Sequence, residues 1–360
     1  MAVQIALTVV NRLAVPARST GFLTSLKKGL GIASLSSTIC SDLFGRSFSA
    51  ASHLMGRTHV DWKAKGDVAV VYVNDPKSKV NRWSSHMQKE MMEVMDEIWT
   101  NDSVGSAVVM SSKPNSYITG IDLKTVLDCE TEKEIARLSL KRQKILKLIE
   151  CSPKPIVAAI DGWCLNAGLE FAMACQYRVA TRNIETYFGS QEVMLGLMPS
   201  AGGTQGLTKL IGPVAAIDYM TSAKLIRADL AKQIGLVHDV VKPMHPSILE
   251  TIAIGFARGI AKKRIPLISQ SNGMLKPEDY HYSFPAIRNK MYRDMWELHL
   301  DLKAPTHAHQ KIIHTVKAGM EQGSEAGYRA EAQNFGALAM TRDTKDRIRW
   351  YQRLLPYSMW

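Results

Sequence analysis

Cysteine is scarce in this chain and shows no pairing pattern. The five residues, Cys40, Cys129, Cys151, Cys164 and Cys175, are odd in number and include no C-x-x-C. This argues against a disulfide framework or a zinc site and fits a reducing compartment. Long apolar runs are also missing: no uncharged stretch reaches the ~18 to 20 residues that a bilayer-spanning helix needs, so the chain is not expected to cross a membrane as a helix. No G-x-G-x-x-G turn follows a strand-like segment, so the usual dinucleotide-binding device is lacking. Acid is almost absent from the first sixty residues, where Asp42 stands alone against Arg12, Arg18, Lys27, Lys28, Arg46 and Arg57. That leader carries +5 of a net charge of +12. The body is therefore only moderately basic, which suits a phosphate-bearing substrate or a solvated surface and does not call for nucleic acid.

What is present is enough for a large core: 360 residues at 46% hydrophobic content imply one large or two modest domains. Residues 1–55, rich in Ser, Leu, Ala and Arg, read as a mitochondrial presequence. The folded body is expected from His59. Val68–Val73 reads as a strand buried on both faces, and Ser84–Thr100 as a helix with Met87, Met91, Val94, Met95 and Ile98 on one stripe. Ser106–Ser112 gives a second strand, Thr131–Glu150 an amphipathic helix, and Ile156–Ile160 a third strand after Pro153 and Pro155. Strand, turn and helix alternate, which argues an α/β fold of repeated units.

The chain is organised around Trp163–Gly203. Glu170 stands there in an otherwise apolar run (Leu169, Phe171, Ala172, Met173), where a carboxylate is rarely buried unless something pairs with it or uses it. Ala167 and Gly168 precede an expected helix start, so their N–H groups would be free to hold an oxyanion. Glu192 follows 22 positions later. Spacing alone leaves two readings open: a converging pair of acids, or a buried ion-pair partner and an unrelated surface acid.

Several linked motifs decide between these readings by resemblance. Lys-Pro-Ile-Val-Ala-Ala-Ile-Asp-Gly at 154–162, Asn-Ala-Gly-Leu-Glu at 166–170, Gln-Glu-Val-Met-Leu-Gly at 191–196 and Pro-Ser-Ala-Gly-Gly-Thr-Gln at 199–205 resemble the crotonase (enoyl-CoA hydratase/isomerase) family. The resemblance implies an α/β fold, a crotonase-like spiral of ββα units with a helical C-terminal region. It divides the chain into a core at 59–244, a helical region or linker at 245–350 and a tail at 351–360. It also implies that Glu170 activates a water and Glu192 delivers a proton, while the N–H groups of Ile121 and Ala167 stabilise the thioester oxygen. Thr119, Gly120 and Asp122 would contact the substrate, the carbonyl of Thr119 taking the adenine, and Lys77 and Lys79 are candidates for the phosphates of coenzyme A. No cofactor or metal is implied, since the coenzyme A thioester is itself the substrate.

Residues His309–Met340, with Gly-Met-Glu-Gln-Gly-Ser-Glu-Ala-Gly-Tyr at 319–328, look like the helices after the hydratase domain in the alpha subunit of the mitochondrial trifunctional protein. That likeness implies β-oxidation in the matrix, a homo-oligomer or a complex with a thiolase-type beta subunit, and peripheral contact of the basic, apolar stretch Ile252–Leu302 with the inner membrane. Hydroxyacyl dehydrogenase activity is not expected. Three departures suggest an impaired enzyme or a non-catalytic subunit: Ile121 adds bulk in Gly120-Ile121-Asp122, Ala167 stands where the family commonly has glycine, and Gly206 replaces an arginine. Ala167 in particular is expected to hold a glycine-like backbone angle and store strain. For the leader, residues 1–60 fused to a fluorescent reporter should enter mitochondria; cytosolic fluorescence would contradict the presequence.

Overall fold

The computed structural model of this chain describes residues 56–267 and 307–354. The presequence expected at 1–55, most of the stretch expected to contact a membrane, which runs to Leu302, and residues 355–360 lie outside the described residues. Strands β1 (Val60–Lys65), β2 (Val68–Val73) and β3 (Arg82–Trp83) come first, then helix α1 (Ser85–Thr100), β4 (Ser106–Ser111), β5 (Ser116–Ile118) and β6 (Gly120–Ile121). Next are α2 (Lys124–Leu127), α3 (Glu132–Glu150), β7 (Ile156–Ile160), β8 (Trp163–Leu165), α4 (Ala167–Ala174), β9 (Tyr177–Thr181) and β10 (Tyr187–Gly189). After a 3₁₀ turn at Glu192–Leu195 follow α5 (Gly203–Ile211), α6 (Pro213–Ser222), β11 (Ile226–Arg227), α7 (Ala228–Gln233), β12 (Asp239–Val241) and α8 (Pro246–Ala261). Three C-terminal helices, α9 (His307–Gln322), α10 (Ser324–Ala339) and α11 (Arg342–Leu354), close the described fold.

The strands form a six-stranded sheet ordered β1-β2-β4-β7-β9-β12 and a four-stranded sheet ordered β11-β10-β8-β5, with β3 and β6 paired separately. Apart from the antiparallel pairs at β1 and β11, the ladders are parallel, as crossover connections require. Period-2 alternation divides the larger sheet between two cores. Ala69, Val71, Val109, Ala158 and Ile160 face the side that carries the second sheet. Val68, Val70, Val108, Val157 and Val179 face the other side, which α8 covers with Leu249, Ile252 and Phe256. This double burial explains why β2 reads as a continuous apolar run. Three times the chain runs from a strand of the large sheet through one of the small sheet into helical structure: β4, β5, α3; β7, β8, α4; and β9, β10, the 3₁₀ turn. The expected α/β spiral of ββα units with a helical C-terminal region is thus observed.

Local chemistry places the helices. Ser84 caps α1 by accepting the Met87 N–H at 3.2 Å, and Thr131 opens α3 with a reciprocal capping box to Glu134. The start of α4 differs from expectation: Ala167 is already its first residue, and the left-handed angle falls on Asn166 (φ 53°). With ψ −122° that backbone lies outside the left-handed helical well that asparagine tolerates, so any strain at this entrance sits on Asn166, and the strain expected at Ala167 is absent. Cys129, Cys164 and Cys175 are free thiols. Among the described residues no helix is long and apolar enough to cross a membrane.

Gly168 fixes how closely α4 approaches the small sheet, since a Cβ there would lie 1.9 Å from the carbonyl oxygen of Ile118. Gly168→Ala should therefore lower unfolding stability by about 3 kcal/mol. Denaturant titration checks this, and an unchanged midpoint would contradict the contact.

Candidate active site

The N-terminus of α4, the 3₁₀ turn, the loop after β5 and two C-terminal helices enclose a cavity of about 420 Å³. Glu170, Glu192, Ile121, Ala167, Thr119, Gly120, Asp122, Lys77 and Lys79 all line it. Convergence is produced by the small sheet. Parallel pairing of β8 with both β5 and β10 aligns the ends of three strands, so the loops that follow them open on one side. Asn166 fastens these loops together: its N–H donates to the Gly189 carbonyl (2.8 Å), its Nδ2 donates to the Thr119 carbonyl (3.1 Å), and its Oδ1 accepts the Gln191 N–H (2.6 Å). The Thr119 carbonyl expected to receive the adenine is therefore partly engaged within the protein, with one lone pair left. Lys77 and Lys79 stand exposed at the cavity wall. Arg82, which the sequence reading did not single out, also lines it and is held by Asp75 at 2.9 Å.

Glu170 is buried at 5% exposure. Its Oε1 accepts three backbone N–H groups, from Ser200 (3.1 Å), Ala201 (2.7 Å) and Gly203 (2.8 Å). The last of these opens α5, whose preceding residue Gly202 offers no side-chain cap. A second carboxylate, Glu331 on α10, shares the duty: it is fully buried and accepts the N–H groups of Gly202 (2.6 Å) and Thr204 (3.0 Å), the Thr204 hydroxyl (2.5 Å) and the Gln143 amide (3.0 Å). Helix α5 is thus capped by two carboxylates from other elements, each compensating unpaired donors at the positive end of its dipole. Arg142 on α3 is buried at 4% exposure. It approaches the Ser200 hydroxyl at 3.4 Å and lies 6.0 Å from the Phe335 ring centre. Burial pushes its guanidinium down to about 10, so it remains a cation at neutral pH, and the charge of Glu170 opposes that shift.

The carboxylates titrate together. Burial pushes Glu192 up to about 7, opposed by the Ser190 hydroxyl that donates to its Oε2 at 2.6 Å and reinforced by the charge of Glu331. Burial also pushes Glu170 well above the usual carboxylate range, and the charges of Glu331 and Glu192 add to the rise. The N–H groups of Ala201 and Gly203 pull it back. Glu331 is raised by burial in the same way, against its four donors. Such a trio holds protons at neutral pH. The hydrogen bonds say where charge is best placed: Glu170 and Glu331 meet several backbone donors at a helix N-terminus, whereas Glu192 has the Ser190 hydroxyl and its own backbone N–H. The proton therefore belongs on Glu192 and the charge on Glu170.

Glu331 and Arg142 were not identified from the sequence. Their only signal is a charged residue on a buried helical face, Ala330-Glu331-Ala332 in α10 and Ser139, Arg142, Leu146 along α3, and periodicity does not say what it meets. Ile121 lines the cavity beside Ala167, so its bulk does reach the site. Gly206 does not. It lines a separate cavity of about 260 Å³ with Met173, Lys209 and Tyr328, which Glu170 touches from its other side.

Residues 63–274 match the family model described as Enoyl-CoA hydratase/isomerase. Among solved structures, the chain resembles an enoyl-CoA hydratase from Bacillus anthracis, with 21% identity, TM-score 0.52, and coverage of 84% of this chain and 98% of that one. It also resembles the human mitochondrial delta3-delta2-enoyl-CoA isomerase, with 19% identity, TM-score 0.59, and coverage of 83% and 99%. An enoyl-CoA hydratase from Bacillus halodurans matches at 17% identity and TM-score 0.56, with coverage of 81% and 100%. At these identities the structures speak for the fold, and the family model speaks for membership.

Glu192 binds its proton more tightly in the folded chain, where burial lifts it from an ordinary 4.5 to about 7. The folded state thus holds more protons than the unfolded one across that window, and stability falls as pH rises through it. Glu192→Gln should be more stable than the parent by about 1–3 kcal/mol at pH ~8, the gain vanishing near pH ~4.5. Thermal unfolding at the two pH values checks this, and an equal or lower melting temperature for the variant at the higher pH would contradict it.

Proposed function

We propose that this chain, which belongs to the enoyl-CoA hydratase/isomerase family, adds water across the 2,3-double bond of an enoyl-CoA thioester. The observation that carries this reading is that Glu170 and Glu192 open on one cavity, together with Ala167 at the N-terminus of α4. In the proposed reaction a water lies between the two carboxyl groups. Glu170 takes one of its protons as the oxygen attacks C3 of the enoyl chain, and the electron pair of the double bond moves into the thioester to give an enolate. The N–H groups of Ile121 and Ala167 meet the developing charge on the thioester oxygen, a role in which one donor is worth roughly 3–4 kcal/mol in other enzymes. Glu192 then gives its proton to C2. The distribution of charge argued above, anionic Glu170 and protonated Glu192, suits these two roles.

The closer likeness to the alpha subunit of the mitochondrial trifunctional protein extends this proposal to fatty acid β-oxidation in the mitochondrial matrix, in a homo-oligomer or a complex with a thiolase-type subunit, with contact to the inner membrane. Ile121 favours a second reading, a weakly active or non-catalytic subunit of the same fold, because its side chain crowds the wall where the thioester would lie. Ala167 no longer supports that reading, for its backbone is helical and holds no strain for a glycine to relieve.

Glu170→Gln and Glu192→Gln should each slow hydration of a 2-enoyl-CoA by about a hundredfold or more, followed as the loss of absorbance of the conjugated thioester. Near-normal turnover in either variant would contradict the two-carboxylate mechanism. No absorbance loss with the parent chain would favour the non-catalytic reading.

A further inference from the structure

Away from the cavity, the segment entering β1 meets the first turn of α1 at His59, His86 and Glu90. Each presents one ligand atom, and the three atoms lie within 4.8 Å of one another. We propose that this cluster binds a divalent transition-metal ion, zinc by best fit, and so ties the start of the folded body to α1.

His86 and Glu90 stand one helical turn apart on α1, with His86 Nε2 2.9 Å from a Glu90 carboxylate oxygen. His59 arrives from the other side, its ring centre 4.7 Å from that of His86. Glu90 is the rigid member. It is buried, and its carboxylate accepts the N–H groups of Thr58 (3.0 Å), His59 (2.7 Å) and Val60 (2.8 Å), which holds His59 in place from its own backbone. Its Oε2 is filled by His59 and Val60, whereas Oε1, which the Thr58 hydroxyl also approaches at 3.4 Å, is the oxygen that faces His86. Thr58 Oγ1 lies 2.8 Å from His59 Nδ1, within hydrogen-bond reach, whereas Asp75 Oδ1 lies 3.8 Å from Nε2, beyond it. With the metal on Nε2, Nδ1 donates its proton to the Thr58 hydroxyl, the arrangement that orients metal-bound imidazoles. His86 is exposed and free to turn the fraction of its length that tetrahedral coordination needs.

The donor set selects the ion. Two imidazoles and one carboxylate suit zinc and its transition-metal neighbours and are poor partners for calcium or magnesium, which take oxygen ligands. Water would complete the shell. Charge around the site is mixed: Arg57, Lys77, Arg82 and Lys89 oppose a cation, whereas Asp75, Glu93 and Asp122 favour it. Affinity on the order of micromolar follows from three ligands in such surroundings, well short of closed structural sites.

The test is calorimetric titration of the untagged full chain with zinc chloride at neutral pH and at about one and a half units below it, with cobalt absorption as the report of nitrogen ligation. The expected result is about one ion bound per chain. Affinity should fall about tenfold or more in His86→Ala and in His59→Ala and should weaken at the lower pH, since metal ligands must be unprotonated. Unchanged circular dichroism and thermal unfolding of the metal-free variants serve as folding controls. No saturable binding in the micromolar range, or affinity unchanged in either variant, overturns the proposal. The outcome is independent of whether the chain is a hydratase.

Discussion

Two buried carboxylates from distant parts of the chain share the N-terminus of one helix, and the candidate site depends on that arrangement. Glu170 on α4 and Glu331 on α10 take the N–H groups between Ser200 and Thr204 in turn, Glu170 holding Ser200, Ala201 and Gly203, and Glu331 holding Gly202 and Thr204. Neither acid belongs to the helix it caps. The loop can keep its shape only if both the spiral core and the C-terminal helices are in place, which couples the helical region to the geometry of Glu170. Removing either carboxylate would strand buried donors at a cost of about 1–3 kcal/mol each.

The same arrangement sets the electrostatics. Three acids in one buried neighbourhood cannot all ionise cheaply, and the donors distribute the charge unequally among them. Five backbone N–H groups favour the anions of Glu170 and Glu331, and buried Arg142 favours that of Glu170, while Glu192, with Ser190 as its partner, is left near neutrality. In the proposed hydration, a base and an acid of the same chemical type would thereby be given different roles by their surroundings alone. The apolar wall of Leu195, Leu197 and Phe335 keeps the dielectric low around them.

Much of this was legible in the sequence. The strand and helix order followed from β2 as a doubly buried run, from the Met stripe of α1 and from the caps at Ser84 and Thr131, all of which are local signals. Glu170 was conspicuous because a carboxylate in an apolar run needs an explanation, and all nine candidate residues line one cavity. What the sequence did not reveal was non-local. Glu331 looks like any acid in an Ala-rich helix until α10 is packed on α5, and Arg142 looks like one more base on a charged helix. The backbone angle at the α4 entrance was misassigned by one position: a motif shows that some residue there must be left-handed, but only the coordinates show that Asn166 takes the angle and that Ala167 is spared. Asn166 also makes three hydrogen bonds to two other loops, a role that no local pattern encodes.

The central claim is that Glu331 governs the charge of the catalytic pair although it is not among the residues that line the cavity. The most direct measurement is the pH dependence of 2-enoyl-CoA hydration by the parent chain and by Glu331→Gln, which keeps the shape of the side chain and removes its charge. The account predicts that parent turnover declines as pH rises through about 7, where Glu192 loses its proton, and that the decline moves to lower pH in the variant because a neighbouring negative charge is gone. A profile that is flat through this range in the parent, or a decline that stays in place or moves to higher pH in Glu331→Gln, would contradict it.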